Sequence, residues 1–193
     1  MTDGPDSASG VELSRRRALG VVAAGAVGAL AGCLGGGDTI DSLPQRGDQQ
    51  VIADVESFPN QGNEHVQRGT QVDYDTRPPT SGPHYAGTVQ AGFYEEAQPM
   101  GDVIHTLEHG AVVAYYDPDA ITETARENLQ TWGRSFTGTW QSFLAMPYPY
   151  DDPETPYALT AWRHLLRMGE YDEAAVRAFC AEYLGRGPEN PVR

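Results

Sequence analysis

The chain has 193 residues, 27 of them acidic and 13 basic, and its formal net charge is −14. All 13 basic residues are Arg, and Lys is absent. The length predicts one domain with short extensions, and the acidic excess argues against nucleic acid as a partner, because phosphate binding needs clustered cations. Such a surface stays hydrated in concentrated salt, where charge repulsion is screened, and it predicts a halophilic source.

Residues 1–32 are predicted to be an export signal of the twin-arginine type. Arg15 and Arg16 precede an apolar run from Ala18 to Ala31 that ends in small residues. This order of a charged segment, an apolar segment and small residues is typical of a secretory signal. The run has about 14 residues, which is too short for a permanent spanning helix of about 20.

Cys33 ends a Leu-Ala-Gly-Cys string that resembles the lipobox of lipoproteins. The sequence therefore predicts a lipid on Cys33 that anchors the protein to the membrane on its extracytoplasmic side. Residues 33–50 begin Gly-rich, are polar and lack periodicity, so a flexible tether is predicted there, followed by the folded domain over 51–193. The alternative is a soluble secreted protein in which Cys33 has no role.

The domain is predicted to be α+β, with a mixed sheet of about four or five strands and two main helices. Strands are predicted where apolar and β-branched residues lie between turn residues: Val51–Phe58, Gln71–Tyr74, Ala111–Tyr116, Trp140–Met146 and Tyr157–Leu166. Helices are predicted over 120–132, with Asp119 as the cap, and over 172–184. On the second helix Cys180 falls among apolar residues and is predicted to be buried.

All five histidines lie in the predicted domain, and four of them fall within 45 residues: His65, His84, His105 and His109. Histidine is a common metal ligand and acid–base group, so this clustering is the main functional signal. The prolines of the 78–83 segment restrict the backbone and would hold His84 in place.

The string His-Thr-Leu-Glu-His at 105–109 has the pattern H-x-x-E-H. On a helix, this spacing puts both imidazoles on one face about 6 Å apart, within reach of one cation. On a strand, the two residues are about 13 Å apart. Asp102 could cap a short helix that ends at Gly110, whereas the apolar run that follows favours a strand, and both structures remain open.

The chain resembles an uncharacterised family, domain of unknown function 3105. The resemblance extends from His65 to about Glu189 and is strongest in two strings, Pro-Pro-Thr-Ser-Gly-Pro-His-Tyr at 78–85 and His-Thr-Leu-Glu-His-Gly at 105–110. Members of the family are similar in being exported or membrane-attached, in bacteria and halophilic archaea. The resemblance implies no particular activity, and His164 lies outside its pattern.

These observations predict a lipid-anchored surface protein with a transition-metal site. The candidate ligands are His65, His84, His105, His109, Glu108 and Met100. Imidazoles bind copper or zinc, Cu(II) has the higher intrinsic affinity, and thioethers of Met100 and Met146 would favour Cu(I). Two alternatives remain: a non-catalytic binding module whose histidines are structural, and a metal-assisted hydrolase with Glu108 as general base, as in peptidases with H-x-x-E-H. An enzyme is the less expected outcome, and no protein partner is indicated.

Overall fold

The computed structural model describes Met1 and residues 40–193. The remainder of the predicted signal, the predicted lipidation residue Cys33 and residues 34–39 of the predicted tether lie outside the described residues. Over the described part of the chain, no helix has both the length and the apolar character needed to cross a membrane.

The domain contains three α-helices and seven strands, which confirms the α+β class and corrects the predicted numbers of four or five strands and two main helices. The helices are α1 (Met100–Glu108), α2 (Glu123–Ser135) and α3 (Glu173–Tyr183), and a 3₁₀ turn covers Ile40–Ser42. The strands are β1 (Glu56–Ser57), β2 (Gly92–Phe93), β3 (Val112–Tyr116), β4 (Thr137–Gly138), β5 (Gln141–Pro147), β6 (Tyr157–Ala161) and β7 (His164–Met168).

The sheet has the strand order β1-β7-β6-β3-β5-β2, and β4 pairs with β5 outside this order. The central strand β3 is antiparallel to β6 and parallel to β5. The chain leaves β3 and reaches β5 through α2, because two parallel strands need a crossover connection. Val113 illustrates the register, since it lies opposite Thr160 on one side and Leu144 on the other.

The helices lie on both faces of this sheet. All five residues of β3 are buried. Val112, Ala114 and Tyr116 belong to the core formed with α2 and α3, whereas Val113 and Tyr115 belong to the core formed with α1. Burial on two faces explains why β3 reads as a continuous apolar run in the sequence.

Side-chain caps define the starts of two helices. Thr122 caps α2 by accepting a hydrogen bond from the backbone N–H of Ala125, so the predicted cap Asp119 lies outside the helix. Asp172, the first residue of the predicted helix, caps α3 by accepting from two backbone N–H groups of the first turn. The thiol of Cys180 is fully buried in the core beside this helix, which confirms its prediction.

Three predicted strands differ from the structure. Residues 51–58 are mostly turn, because Ile52 reaches the core from a turn and only β1 pairs. Residues 71–74 are not a strand. The predicted strand 157–166 is two strands, since the chain reverses at Trp162 and Arg163, where Arg163 has a φ of 68°. A buried tryptophan gives no sequence signal of a turn.

The folded part of the chain begins before the predicted boundary at residue 51. Leu43 is only 3% exposed and belongs to the core that contains α3. Glu182 of α3 accepts hydrogen bonds from the Arg46 guanidinium, at 2.8 Å, and from the backbone N–H of Gly47, at 3.0 Å. Residues 40–50 are therefore packed on α3, in contrast to the flexible tether predicted for them.

Candidate metal centre

Helix α1 positions the H-x-x-E-H residues. Val103, Ile104 and Leu107 are fully buried in the core between α1 and the sheet. Fixing these three residues on the sheet leaves His105 and Glu108 on other faces of the helix. The structure thus confirms the helical alternative for this string, with His109 as the residue that follows the last turn.

His65 and His84 come from two loop segments that run side by side. The backbone of His84 donates to the carbonyl of Glu64 at 3.0 Å and accepts from the N–H of Val66 at 2.7 Å, which forms a parallel β-bridge between the two histidines. The ring centroids of His65 and His84 are 5.1 Å apart, and those of His65 and His105 are 4.7 Å apart. The long loop before α1 therefore brings His65 and His84 to His105 on the helix.

Backbone carbonyls orient two of the imidazoles. Nδ1 of His84 lies 2.8 Å from the carbonyl oxygen of Gly82, and Nδ1 of His105 lies 3.1 Å from that of Gly87. A carbonyl oxygen only accepts, so each Nδ1 carries the proton, and each neutral ring has its lone pair on Nε2. Metal-binding histidines typically have this arrangement, which fixes the tautomer and the direction of the ligand atom.

Glu108 faces His84 across the cluster. Oε1 of Glu108 accepts a hydrogen bond from Nδ2 of Asn63 at 2.8 Å, and Oε2 lies 3.2 Å from Nε2 of His84. Nε2 of His84 is buried and has no hydrogen-bond partner among the described residues. Because Nδ1 already holds the proton of a neutral ring, a lone pair and a carboxylate oxygen face each other. A cation held by both would satisfy this arrangement.

The distances suit one small ion. One ligand atom from each of His65, His84, His105 and Glu108 lies within 4.8 Å of the others. In a tetrahedral zinc site with bonds of 2.0–2.1 Å, two ligand atoms are about 3.3 Å apart. The 3.2 Å between His84 and Glu108 already has this length, and small side-chain rotations would close the rest. His84, His105 and Glu108 are buried and His65 is exposed, so the cluster is open to solvent on one side.

Burial favours the neutral form of two of these imidazoles. Burial lowers the pKa of His84, whose side chain is fully buried. The hydrogen bond to Gly82 and the charge of Glu108 raise this pKa by smaller amounts. Burial, followed by the neighbouring His105, also lowers the pKa of His109. The neutral imidazole is the form that binds a metal.

His109 lies at the edge of the cluster. Its ring centroid is 4.5 Å from that of His105 and 4.1 Å from that of Trp140. Its Nε2 lies 3.1 Å from Oε2 of Glu189, a residue of the C-terminal segment, and its Nδ1 is buried without a hydrogen-bond partner in the described part of the chain. The histidine spacing predicted the contact with His105, but nothing in the sequence indicated Glu189.

The other predicted or weighed residues lie elsewhere. The thioether of Met100 accepts a contact of 3.9 Å from the hydroxyl of Tyr115, and Met146 is buried in the core. His164 stacks on Tyr183 with 4.3 Å between ring centroids. The structure therefore brings together His65, His84, His105 and Glu108, with His109 beside His105, and it places Met100 against Tyr115 of the sheet.

An ion pair supports the segment that holds His105. Asp102, predicted as a helix cap, instead accepts two hydrogen bonds from the guanidinium of Arg68, at 2.8 and 2.7 Å. The pair lies against Gly87, where an added Cβ would be 2.7 Å from Asp102 Oδ1. Glycine is needed at this close approach, and it brings its carbonyl to Nδ1 of His105. Arg68, Gly87 and Asn63 are supporting residues that the sequence did not indicate.

The fold and the cluster together define an α+β domain with a histidine–carboxylate group at one helix. The model of the family described as Protein of unknown function (DUF3105) matches residues 65–193. The chain therefore belongs to this family, as its two histidine strings predicted. No curated protein and no solved structure gives a significant match to the chain.

Proposed function

We propose that this protein is an extracytoplasmic, lipid-anchored member of its family that binds a transition metal ion. The ligands would be Nε2 of His84 and His105, the imidazole of His65 and Oε2 of Glu108. The observation that supports this best is the arrangement of His84 and Glu108, where a buried lone pair faces a carboxylate oxygen at 3.2 Å.

The ligand types favour copper or zinc. Three imidazoles and one carboxylate suit Zn²⁺ in tetrahedral geometry and also Cu²⁺, for which intrinsic affinity is higher. The thioether of Met100, which would favour Cu(I), contacts the hydroxyl of Tyr115. Met100 could therefore bind an ion only after its side chain changed conformation. We therefore expect a divalent ion, with copper ahead of zinc.

A purely structural role for the histidines has less support. A buried polar atom in a structural core normally has a hydrogen-bond partner, because leaving it unpaired costs about 1–3 kcal/mol. Nε2 of His84 and Nδ1 of His109 have none among the described residues. In the hydrolase alternative, Glu108 would act as a general base, but Asn63 already holds Oε1 of its carboxylate and the buried ring of His84 lies 3.2 Å from Oε2.

Metal analysis of residues 34–193 tests the proposal. We expect the purified protein to retain or rebind about one Cu²⁺ or Zn²⁺, and His105→Ala or Glu108→Gln to weaken this binding at least tenfold. The matched control is His164→Ala, which removes a histidine outside the cluster. Wild-type protein that neither retains nor rebinds a transition metal would contradict the proposal, and turnover of an ester or peptide lost in Glu108→Gln would favour the hydrolase.

Membrane attachment is tested through the predicted signal. Replacing Arg15 and Arg16 by Lys should block export, and Cys33→Ser should move the exported protein from the membrane fraction to the medium. Exported Cys33→Ser protein that stays with membranes would contradict a lipid on this residue.

The predicted signal contains three acidic and three basic residues, so its removal leaves the net charge at −14.

The halophilic source is proposed from that acidic excess. At about 0.1 M salt the carboxylates repel one another over a Debye length of about 10 Å, and at about 1 M over about 3 Å. The urea midpoint of the domain should therefore rise with the concentration of KCl. A midpoint that does not change with salt would contradict the proposal.

A further inference from the structure

A second group of ligand atoms lies beside the first. One ligand atom from each of His105, His109 and Glu189 lies within 4.8 Å of the others. His109 Nε2 and Glu189 Oε2 are 3.1 Å apart, close to the separation of about 3.3 Å between two ligands of one ion. We name this group the outer position. The inner position is the group formed by His65, His84, His105 and Glu108.

The two positions share His105. Its Nδ1 donates to the carbonyl of Gly87, so a neutral ring has one lone pair, on Nε2, to give to a metal. Only one ion at a time can use that lone pair. The inner and outer positions are therefore alternatives for a single ion while this hydrogen bond is kept.

The C-terminal segment is held against α1 at the outer position. The backbone N–H of Glu189 donates to the carbonyl of Glu108 at 3.3 Å. Gly187 makes this approach possible, because an added Cβ would lie 2.2 Å from the same carbonyl oxygen. The two carboxylates thus come from neighbouring pieces of chain, and each forms a group of ligand atoms with His105.

The two carboxylates differ in exposure. The Glu189 side chain is 46% exposed, whereas the side chain of Glu108 is 7% exposed. Ligand exchange with water or with a donor molecule is easier at an exposed carboxylate than at a buried one, which makes the outer position the accessible one.

Building on the proposed function, we propose that the outer position is an exchange site through which a divalent transition ion enters and leaves the inner position. The ion would stay bound to Nε2 of His105. Its bonds to His109, Glu189 and one water molecule would break as bonds to His65, His84 and Glu108 form. One carboxylate replaces another, and the imidazoles and the water are neutral, so the ligand charge is the same in both positions and no electron is transferred.

Binding and exchange of Co²⁺ by the purified protein test this proposal. Wild type should bind one Co²⁺. His65→Ala with Glu108→Gln, which weakens the inner position, should still bind one Co²⁺, with lower affinity and a changed visible spectrum. Adding Glu189→Gln should lower that residual affinity at least tenfold. Glu189→Gln alone should slow release to a chelator about tenfold, whereas the exposed control Glu170→Gln should not.

The outcomes separate this proposal from the one on which it rests. Wild type that binds no Co²⁺ overturns both. Suppose that wild type binds one Co²⁺, but Glu189→Gln changes neither the residual affinity of the His65→Ala, Glu108→Gln variant nor the release rate of wild type. This result overturns only the exchange site. Two ions bound to wild type at saturation would also overturn the exchange site, because the inner and outer positions would then be occupied at the same time and could not be alternatives for one ion.

Discussion

Asn63 and Glu108, 45 residues apart in the chain, are joined by a hydrogen bond of 2.8 Å from Nδ2 to Oε1. This bond holds one carboxylate oxygen and leaves the other, Oε2, facing His84. A loop residue thereby sets the direction of a carboxylate on α1.

Asn63→Ala should therefore weaken metal binding without removing a ligand. Loss of a residue that orients a ligand typically costs 10–100-fold in metal affinity, and we expect a decrease of at least about tenfold in a Zn²⁺ or Cu²⁺ titration. The matched control is Asn128→Ala, which removes an exposed amide that bonds to Glu173 on the other side of the domain. Equal affinities of Asn63→Ala and wild type would show that Glu108 does not depend on this bond.

Gly87→Ala should reduce both stability and metal affinity. The added Cβ would lie 2.7 Å from Asp102 Oδ1 and 3.1 Å from the Arg68 guanidinium, so the ion pair or the loop must shift, and either change disturbs the support of His105. Overpacking of this kind costs about 1–3 kcal/mol in the free energy of unfolding. Gly169→Ala is the control, because an added Cβ there meets nothing within 4 Å. Urea unfolding in which both variants match wild type would contradict the expected clash.

The pH dependence of stability should include a contribution from His164. Burial, and secondly Arg163, lowers the pKa of His164 in the folded protein. The unfolded chain then binds more protons than the folded one as the pH falls through about 6.5, and the free energy of unfolding decreases. For one histidine this slope cannot exceed about 1.4 kcal/mol per pH unit.

His164→Gln should make the unfolding free energy of the metal-free protein less dependent on pH between about 7.5 and 5.5. His84 and His109, whose pKa values are also lowered by burial, contribute with the same sign and should keep part of the slope. A slope that is unchanged or steeper in His164→Gln, measured by urea unfolding at several pH values, would show that this pKa is not lowered.

Cys180 should be unreactive in the folded protein. Its side chain is fully buried and burial raises the pKa of its thiol, which leaves little thiolate to react. In a Cys33→Ser chain it is the sole thiol. A colorimetric thiol reagent at pH 8 should detect no thiol in native protein and one in urea, with Cys180→Ala as the blank. Rapid reaction in the native state would contradict the burial.

The parts of the fold that were predicted correctly have local signals. Strand β3 is a short apolar run that ends at Asp117, and α3 has Asp172 as a cap followed by apolar residues at helical spacing. The β6–β7 turn could not be predicted, because Trp162 is apolar and Arg163 adopts a positive φ without being a glycine. Turn prediction depends on residue types that this turn lacks.

The sequence predicted the histidines of the candidate site, but it did not predict the residues that orient them. His105 and His109 are four residues apart, and helical spacing alone predicts their contact. Glu189 and Asn63 reach the cluster only through the tertiary fold, and a single carboxylate gives no signal in a chain with 27 acidic residues. The residues that orient the rings, such as Gly87, act through backbone carbonyls, to which the side-chain pattern gives no clue.

The parallel β-bridge between His65 and His84 has a consequence for the thermodynamics of binding. Main-chain hydrogen bonds of 2.7 and 3.0 Å fix the spacing of these two residues, and carbonyls fix the rings of His84 and His105. The conformational entropy of these groups is therefore lost when the chain folds and not when an ion arrives. Such preorganisation favours tight binding with little structural rearrangement, so the metal-free and metal-bound domains should differ mainly in the exposed side chain of His65.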